Sequence, residues 1–327
     1  MAKSLKSRIV IIGASGFIGF HLSKAIHSNW GDSDLVLIDN FIRSTSDEAF
    51  RELCRLDRVS FRMGDVTEST FIEDCLLPGD IVINLAALNG TQNFYEKPGD
   101  VLHHSAVSAL MINRVAAIVG ASRYIYFGSS EVYADSINAG LVTLPTPENV
   151  PFLIQDPTNP RWSYASAKQI GEISCHAYHL QYGLDYQIFR IHNIYGPRMG
   201  MHHVIPDLIM NFSKGNPEVM GVEQTRCFMF VSDAVRVILD LIKNDRAKNQ
   251  VINIGSDAEI TILDLALKIS TLVNPNLIID SIPAPAGSVS RRQPDLAHMK
   301  SLTKSWADSI DIDEGLRLTK EWYLRNL

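Results

Sequence analysis

Tyr164 and Lys168 lie four residues apart in RWSYASAKQIGE, Arg161 to Glu172. On a helix, positions i and i+4 share one face, so the phenol and the ammonium are neighbours. One reading is packing, with the tyrosine on the core and the lysine covering it. The other is chemical: the ammonium stabilises the phenolate and makes Tyr164 a base. A second constellation opens the chain. IVIIGASGFIG places Gly13, Gly16 and Gly19 at even spacing, with Phe17 and Ile18 between the last two. Such glycines permit a tight turn and close approach of the backbone to a pyrophosphate, which the amides of a following helix bind. Asp39, in LVLIDN, follows Gly19 by twenty residues, with Asn40 beside it. A carboxylate there accepts from both hydroxyls of an adenosine ribose and repels a 2′-phosphate, which favours NAD over NADP. Arg43, shortly after, either reaches that ribose or is solvated in a polar loop. A third stretch, YFGSSEVYA, carries Ser129, Ser130 and Glu131. A serine there can hold a substrate hydroxyl, or the three residues simply cap the next segment.

These residues need a frame. RIVIIG, DLVLID, VSFRMGD, DIVINLAA and RYIYFGSS are short and nearly all apolar, the pattern of strands buried on both faces. Helical patterns run from Phe17 to Ser28 and from Val101 to Val119. The alternation predicts an α/β fold, a Rossmann-type doubly wound parallel sheet with right-handed crossovers. Ligands of such sheets sit beyond the carboxyl ends of the strands. The glycines, Asp39 and Ser129 all fall there. So do Asp65 and Val66, in GDV, where Asp65 either bonds an adenine amino group or starts the next helix. Ala86 and Ala87, in NLAAL, leave room for a cofactor or for a packed helix. YQIFRIHNIYG and VINIGS read as later strands, Ile262 to Val273 as a helix, and the Pro-rich IIDSIPAPAGSVSRRQPD as a loop.

Composition excludes several classes. The chain has 327 residues, 46% hydrophobic and 20% charged, which suits one large domain or two intimate ones. Its net charge of −6 supplies no basic field for nucleic acid. Cys54, Cys75, Cys175 and Cys227 are far apart, neither a metal cluster nor a disulfide framework. Reduced thiols in a cytoplasmic protein without a metal are the expectation. The apolar run after the basic N-terminus is too short for a signal peptide, and no stretch of membrane-spanning length is expected.

Taken together, GASGFIG, NLAA, SSEVYA, YASAK, RIHNIYGPR, TRCFMFVSDAV and SRRQPD resemble the extended short-chain dehydrogenase/reductases. Within them the chain is similar to the NAD-dependent nucleotide-sugar epimerases, dehydratases and decarboxylases. The resemblance implies a Rossmann NAD-binding domain of residues 1–190 plus about 225–255. A smaller nucleotide-sugar-binding domain would hold 191–224 plus 256–327. It implies that Ser129, Tyr164 and Lys168 are the catalytic triad, with Tyr164 and Lys168 also touching NAD. Asn193, Arg226 and Arg292 would contact the phosphates or nucleotide of the substrate, and Val204, in HHVIPDLI, the nucleobase. Tyr164 would deprotonate the carbon-4 hydroxyl of a hexose while NAD takes the hydride, and the resulting 4-keto sugar admits several outcomes. Glu131 stands where sugar 4,6-dehydratases keep a carbon-5 base and where UDP-glucuronate decarboxylases also carry Glu. Phe94 stands where those decarboxylases have Tyr, Ser130 where some dehydratases have Asp, and His104 in place of a family Asn. His103 and His104 are either helix-surface residues or, turned inward, an extra acid/base. The expected function is a nucleotide-sugar epimerase/dehydratase acting through carbon 4. The alternatives are a decarboxylase, a 4-keto-sugar oxidoreductase, or an NAD-sensing protein that has lost its chemistry. Relatives pair the helices matching Val101 to Val119 and Trp162 to Tyr182, so a homodimer is expected.

Overall fold

Alternate residues of the first strand face opposite ways. Ile9 and Ile11 join one hydrophobic cluster, Val10 and Ile12 another. That is the signature of a sheet covered on both faces. The computed structural model describes residues 7–284 and 288–326. Its main sheet holds β1 (Arg8–Ile12), β2 (Asp34–Asp39), β3 (Val59–Met63), β4 (Ile81–Asn84), β5 (Arg123–Ser129), β6 (Tyr186–Ile191) and the strand Gln250–Ile254. From one edge the order is Gln250–Ile254, β6, β5, β4, β1, β2, β3, and every pairing is parallel. Ile12 lies opposite both Ile38 and Asn84, so three strand ends finish level. Helix α1 (Phe17–Asn29) and the helix Val231–Lys243 cover one face through Phe20, Leu22, Val235 and Ile238. The helices Ser108–Val119 and Trp162–Tyr182 cover the other through Ile112, Val115 and Cys175.

The helix Trp162–Tyr182 positions the chemistry, and its ends are written locally. The Asn159 side chain accepts from the Arg161 amide just before it, and Gly183 closes it at φ +73. At its middle, a Cβ on Gly171 would fall 2.1 Å from the Tyr126 hydroxyl of β5. Only glycine lets the helix lie this close to the sheet.

Helices Val204–Ser213, Ile262–Val273 and Ile312–Asn326 pack on one another beyond the carboxyl ends of the sheet strands. Short ladders pair Glu218–Met220 with Asp280–Ile282 and Thr225–Cys227 with Glu259–Thr261.

Several expectations change. β3 is an edge strand, with Met63 70% exposed, because only β2 pairs with it. YQIFRIHNIYG breaks into β6 and a short strand Ile194–Tyr195 paired to Met229–Phe230. The helical run expected from Val101 starts at Pro98 and passes through a π-turn at His103–Val107. Its 22 residues, Pro98–Val119, are long and apolar enough to cross a membrane, contrary to the expectation, but 56% of that window is buried within the protein. The Pro-rich loop contains the strand Asp280–Ile282, and its Pro285, Ala286 and Gly287 lie outside the described residues.

Candidate active site

The strand order reverses between β1 and β4, and a cavity of about 890 Å³ opens beyond their carboxyl ends. Gly13 leaves β1 at φ +81, and a Cβ on it would lie 3.1 Å from the Leu85 carbonyl carbon. A Cβ on Gly19 would fall 2.2 Å from the Gly13 oxygen, so glycine alone permits this packing of helix on strand. Gly16 caps α1 without a side-chain acceptor, and the first turn holds no acid. Phe17 and Ile18 line the cavity at that turn. A helix N-terminus with glycine walls and no protein anion fits a dinucleotide diphosphate.

At the end of β2, Asp39 is buried and held by the amides of Ser15 (3.0 Å) and Phe41 (2.8 Å). Asn40 donates to one oxygen of Asp65 at 3.4 Å. The other oxygen of Asp65 accepts from the amide and hydroxyl of Thr67. Asp65 therefore serves its turn and also faces the cavity, beside Val66 and Ala86. His104 lines this same end and bears electrostatically on Asp65, whereas His103 is exposed.

The catalytic candidates meet at the other end. Ser129 finishes β5, accepts from the Glu131 amide at 3.2 Å and bears electrostatically on the Tyr164 phenol. Asn89, whose buried Oδ1 has no hydrogen-bond partner among the described residues, bears on that phenol too. Phe94 stacks on Tyr164 with ring centroids 5.1 Å apart. Burial pushes the phenol up to about 12, against a downward pull from the Arg43 guanidinium and the Ser129 and Asn89 side chains. Lys168 donates to the Phe127 carbonyl at 2.7 Å, its nitrogen 5.7 Å from the Tyr164 ring centroid. Burial lowers this ammonium to about 8, with Glu172 opposing the shift. The ammonium is close to Tyr164 as the spacing predicts, yet the cation that bears most on the phenol is Arg43.

Glu131 is clamped. Arg292 donates to it at 2.6 Å and Arg161 at 3.3 Å. Burial alone would raise its carboxyl, but Arg292 and Arg161 outweigh that and hold it at about 2. Arg226 stands nearby, bonded to the Thr225 carbonyl and the Gln224 side chain. Burial and the Arg292 charge lower Arg226 to about 9. Asn193 donates to the Cys227 carbonyl, and Ser130, Asn193 and Val204 line the cavity. Asn89 and Arg161 escaped the sequence reading. Arg161 had a signal, since an arginine at the mouth of an apolar helix needs a carboxylate if it is buried. Asn89 had none beyond its place after NLAA.

Sheet, glycine turn, ribose acid and the Ser129, Tyr164, Lys168 grouping define a dehydrogenase/reductase of the extended short-chain class. Comparison with known proteins narrows this. Residues 9–255 match the NAD dependent epimerase/dehydratase family. UDP-glucuronic acid decarboxylase 3 of Arabidopsis thaliana is 30% identical over 96% of this chain and 88% of its own length. The UDP-N-acetyl-alpha-D-glucosaminuronate decarboxylase of Bacillus cytotoxicus is 29% identical over 98% of both. The solved UDP-glucuronic acid 4-epimerase of Bacillus cereus shares the fold, with a TM-score of 0.85 at 23% identity, over 98% of this chain and 100% of that one. The chain belongs to the NAD dependent epimerase/dehydratase family. It is an NAD-dependent nucleotide-sugar enzyme.

Proposed function

We propose that the protein transiently oxidises carbon 4 of a UDP-sugar, and that the sugar is a uronate. The carrying observation is the Glu131 clamp. Arg161, Arg226 and Arg292 surround one carboxylate, which leaves this end of the pocket with an excess of positive charge and suited to a second carboxylate. When bound, NAD supplies the acceptor for the carbon-4 hydride. Tyr164 takes the proton of the carbon-4 hydroxyl, and the Ser129 and Asn89 side chains act on the phenol and favour its ionised form. Lys168 keeps a positive charge beside it. A uronate oxidised at carbon 4 is a β-keto acid, which loses carbon dioxide readily. Arg161 and Arg292 hold its carboxylate, and Ser130 closes the wall. Glu131, ionised from about 2 upward, is a weak base and does not suit proton removal from carbon 5, so dehydration is disfavoured. Decarboxylation is therefore the net reaction this reading favours. A second reading is 4-epimerisation of the same uronate, because it also needs no carbon-5 base.

In this account Gly13, Gly16, Phe17, Ile18, Gly19, Asp39, Asn40, Asp65, Val66 and Ala86 hold NAD. Phe94 seats Tyr164, while Asn193, Val204, Arg226 and Arg292 hold the nucleotide sugar. Residues 191–224 and 256–327 form the substrate lobe, and the remainder the NAD lobe. Exposed apolar residues on the helices Ser108–Val119 and Trp162–Tyr182, among them Ile118, Ile173 and Leu180, support a homodimer. Four free cysteines support a cytoplasmic setting.

The test is incubation of the purified protein with UDP-glucuronate and with neutral UDP-sugars, followed by mass spectrometry and NMR. Loss of carbon dioxide from the uronate supports the first reading. Unchanged mass with inverted carbon 4 supports the second. Turnover of neutral sugars alone, or loss of water, overturns the uronate assignment.

A further inference from the structure

Arg43 bears on the Tyr164 phenol, but this scheme gives its own positive charge no partner. It springs from the loop after Asp39, and both ends of that loop are pinned. The Asp39 carboxylate accepts from Phe41 at 2.8 Å, and Asn40 Oδ1 accepts from Ile42 at 3.1 Å. At the far end, Asp47 caps the helix Glu48–Cys54 and pairs with Arg198. The side chain between these anchors turns into the cavity. Among the described residues no carboxylate pairs with it and no hydrogen bond holds it. One guanidinium nitrogen lies 3.9 Å from where a Cβ on Gly90 would be and 3.6 Å from where one on Gly200 would be. The guanidinium thus stands between the loop after β4 and the loop after Ile194–Tyr195, where two glycines leave space. Its electrostatic partners there are Tyr164 and His203, which supply no resting negative charge at neutral pH. The N-terminus of α1, uncapped by any side chain, lines the same cavity.

Two diphosphates must enter this cavity under the proposed function. Arg226 and Arg292 stand at the Glu131 end, where the sugar is placed. Arg43 is rooted four residues beyond the ribose acid, on the dinucleotide side. We propose that Arg43 clamps the diphosphate of NAD from across the cavity, as a charge-assisted partner to the amides of α1. The glycine turn then supplies neutral donors and Arg43 the counter-charge, so the cofactor is retained between turnovers and its binding is salt-sensitive. This assigns Arg43 to the diphosphate and not to the ribose beside which it sits in sequence. The inference rests on the NAD reading of the site.

Direct titration tests it, using calorimetry with NAD, NADP, ADP, AMP and adenosine against wild type, Arg43→Ala and Arg43→Lys. Thermal midpoints should match wild type, since the side chain is unpaired. Arg43→Ala should weaken NAD and ADP by roughly ten- to a hundredfold. It should leave adenosine unchanged, leave the NAD to NADP ratio unchanged, and flatten the salt dependence. Arg43→Lys should recover part of the loss. Equal losses for adenosine and ADP, a changed NAD to NADP ratio, or unchanged NAD affinity would each overturn the clamp. Failure of the wild type to bind NAD would overturn the NAD reading itself, and with it this inference.

Discussion

Tyr164 carries a burden its environment does not lighten. Burial raises the phenol to about 12, even though Arg43, Ser129 and Asn89 pull it down. Tyr164→Phe keeps the stack on Phe94 and removes the hydroxyl. It should lower turnover by roughly a hundred- to ten-thousandfold while the Kd for UDP-sugar stays within a few-fold, measured by steady-state kinetics and titration. Glu131 makes a different prediction. Its carboxyl sits at about 2, below its ordinary 4.5, because Arg292 and Arg161 outweigh burial. A depressed folded pKa contributes stability that is full above the unfolded value and is lost as pH falls through the folded one. Wild type should therefore lose thermal stability between 4.5 and about 2 more steeply than Glu131→Gln. Parallel curves for the two proteins would remove the clamp. At this scale the sequence revealed the residues that belong to short patterns, such as Tyr164 with Lys168 or the glycines with Asp39. It did not reveal Asn89 or Arg161, whose neighbours in the site lie far along the chain or on another element.

The elements were legible where their chemistry is local. The helix Ile262–Val273 has the expected bounds, and the Thr261 side chain accepts from the Asp264 amide at its start. The inner strands were legible because a strand buried on both faces is nearly all apolar. β3 was not told apart as an edge strand, since position in a sheet is set by pairing and not by composition. The π-turn at His103–Val107 left no trace in the apolar pattern. Close approach of elements was equally hidden. Gly171 reads as an ordinary helix glycine until the Tyr126 hydroxyl is found where its Cβ would be. Gly171→Ala should cost about 1–3 kcal/mol by overpacking, measured by urea denaturation, despite the better helix propensity of alanine. It should also lower turnover, because the helix bearing Tyr164 and Lys168 must lift from β5. A neutral or stabilising outcome would mean that the helix does not rest on the sheet through this contact.

Across the whole molecule, one cavity is walled by the sheet's carboxyl edge and by the elements after residue 191. Both groups are needed to build the Glu131 clamp, since Arg161 comes from the first and Arg292 from the second. Outside the cavity, Leu110 and Ile118 on one helix and Ile173 and Leu180 on the other remain 41%, 56%, 57% and 86% exposed. Sedimentation should find a dimer at micromolar concentration, and Ile173→Lys with Leu180→Lys should yield a folded monomer. A wild-type monomer would contradict the pairing of these helices. The central claim is transient oxidation at carbon 4, and the fate of that hydrogen tests it most directly. UDP-glucuronate deuterated at carbon 4 is converted in ordinary water, and the product is read by NMR. The account predicts that deuterium returns to carbon 4 of a product that has lost its carboxyl group, with solvent hydrogen at carbon 5. Deuterium washed out to solvent, or deuterium delivered to carbon 6, would contradict it.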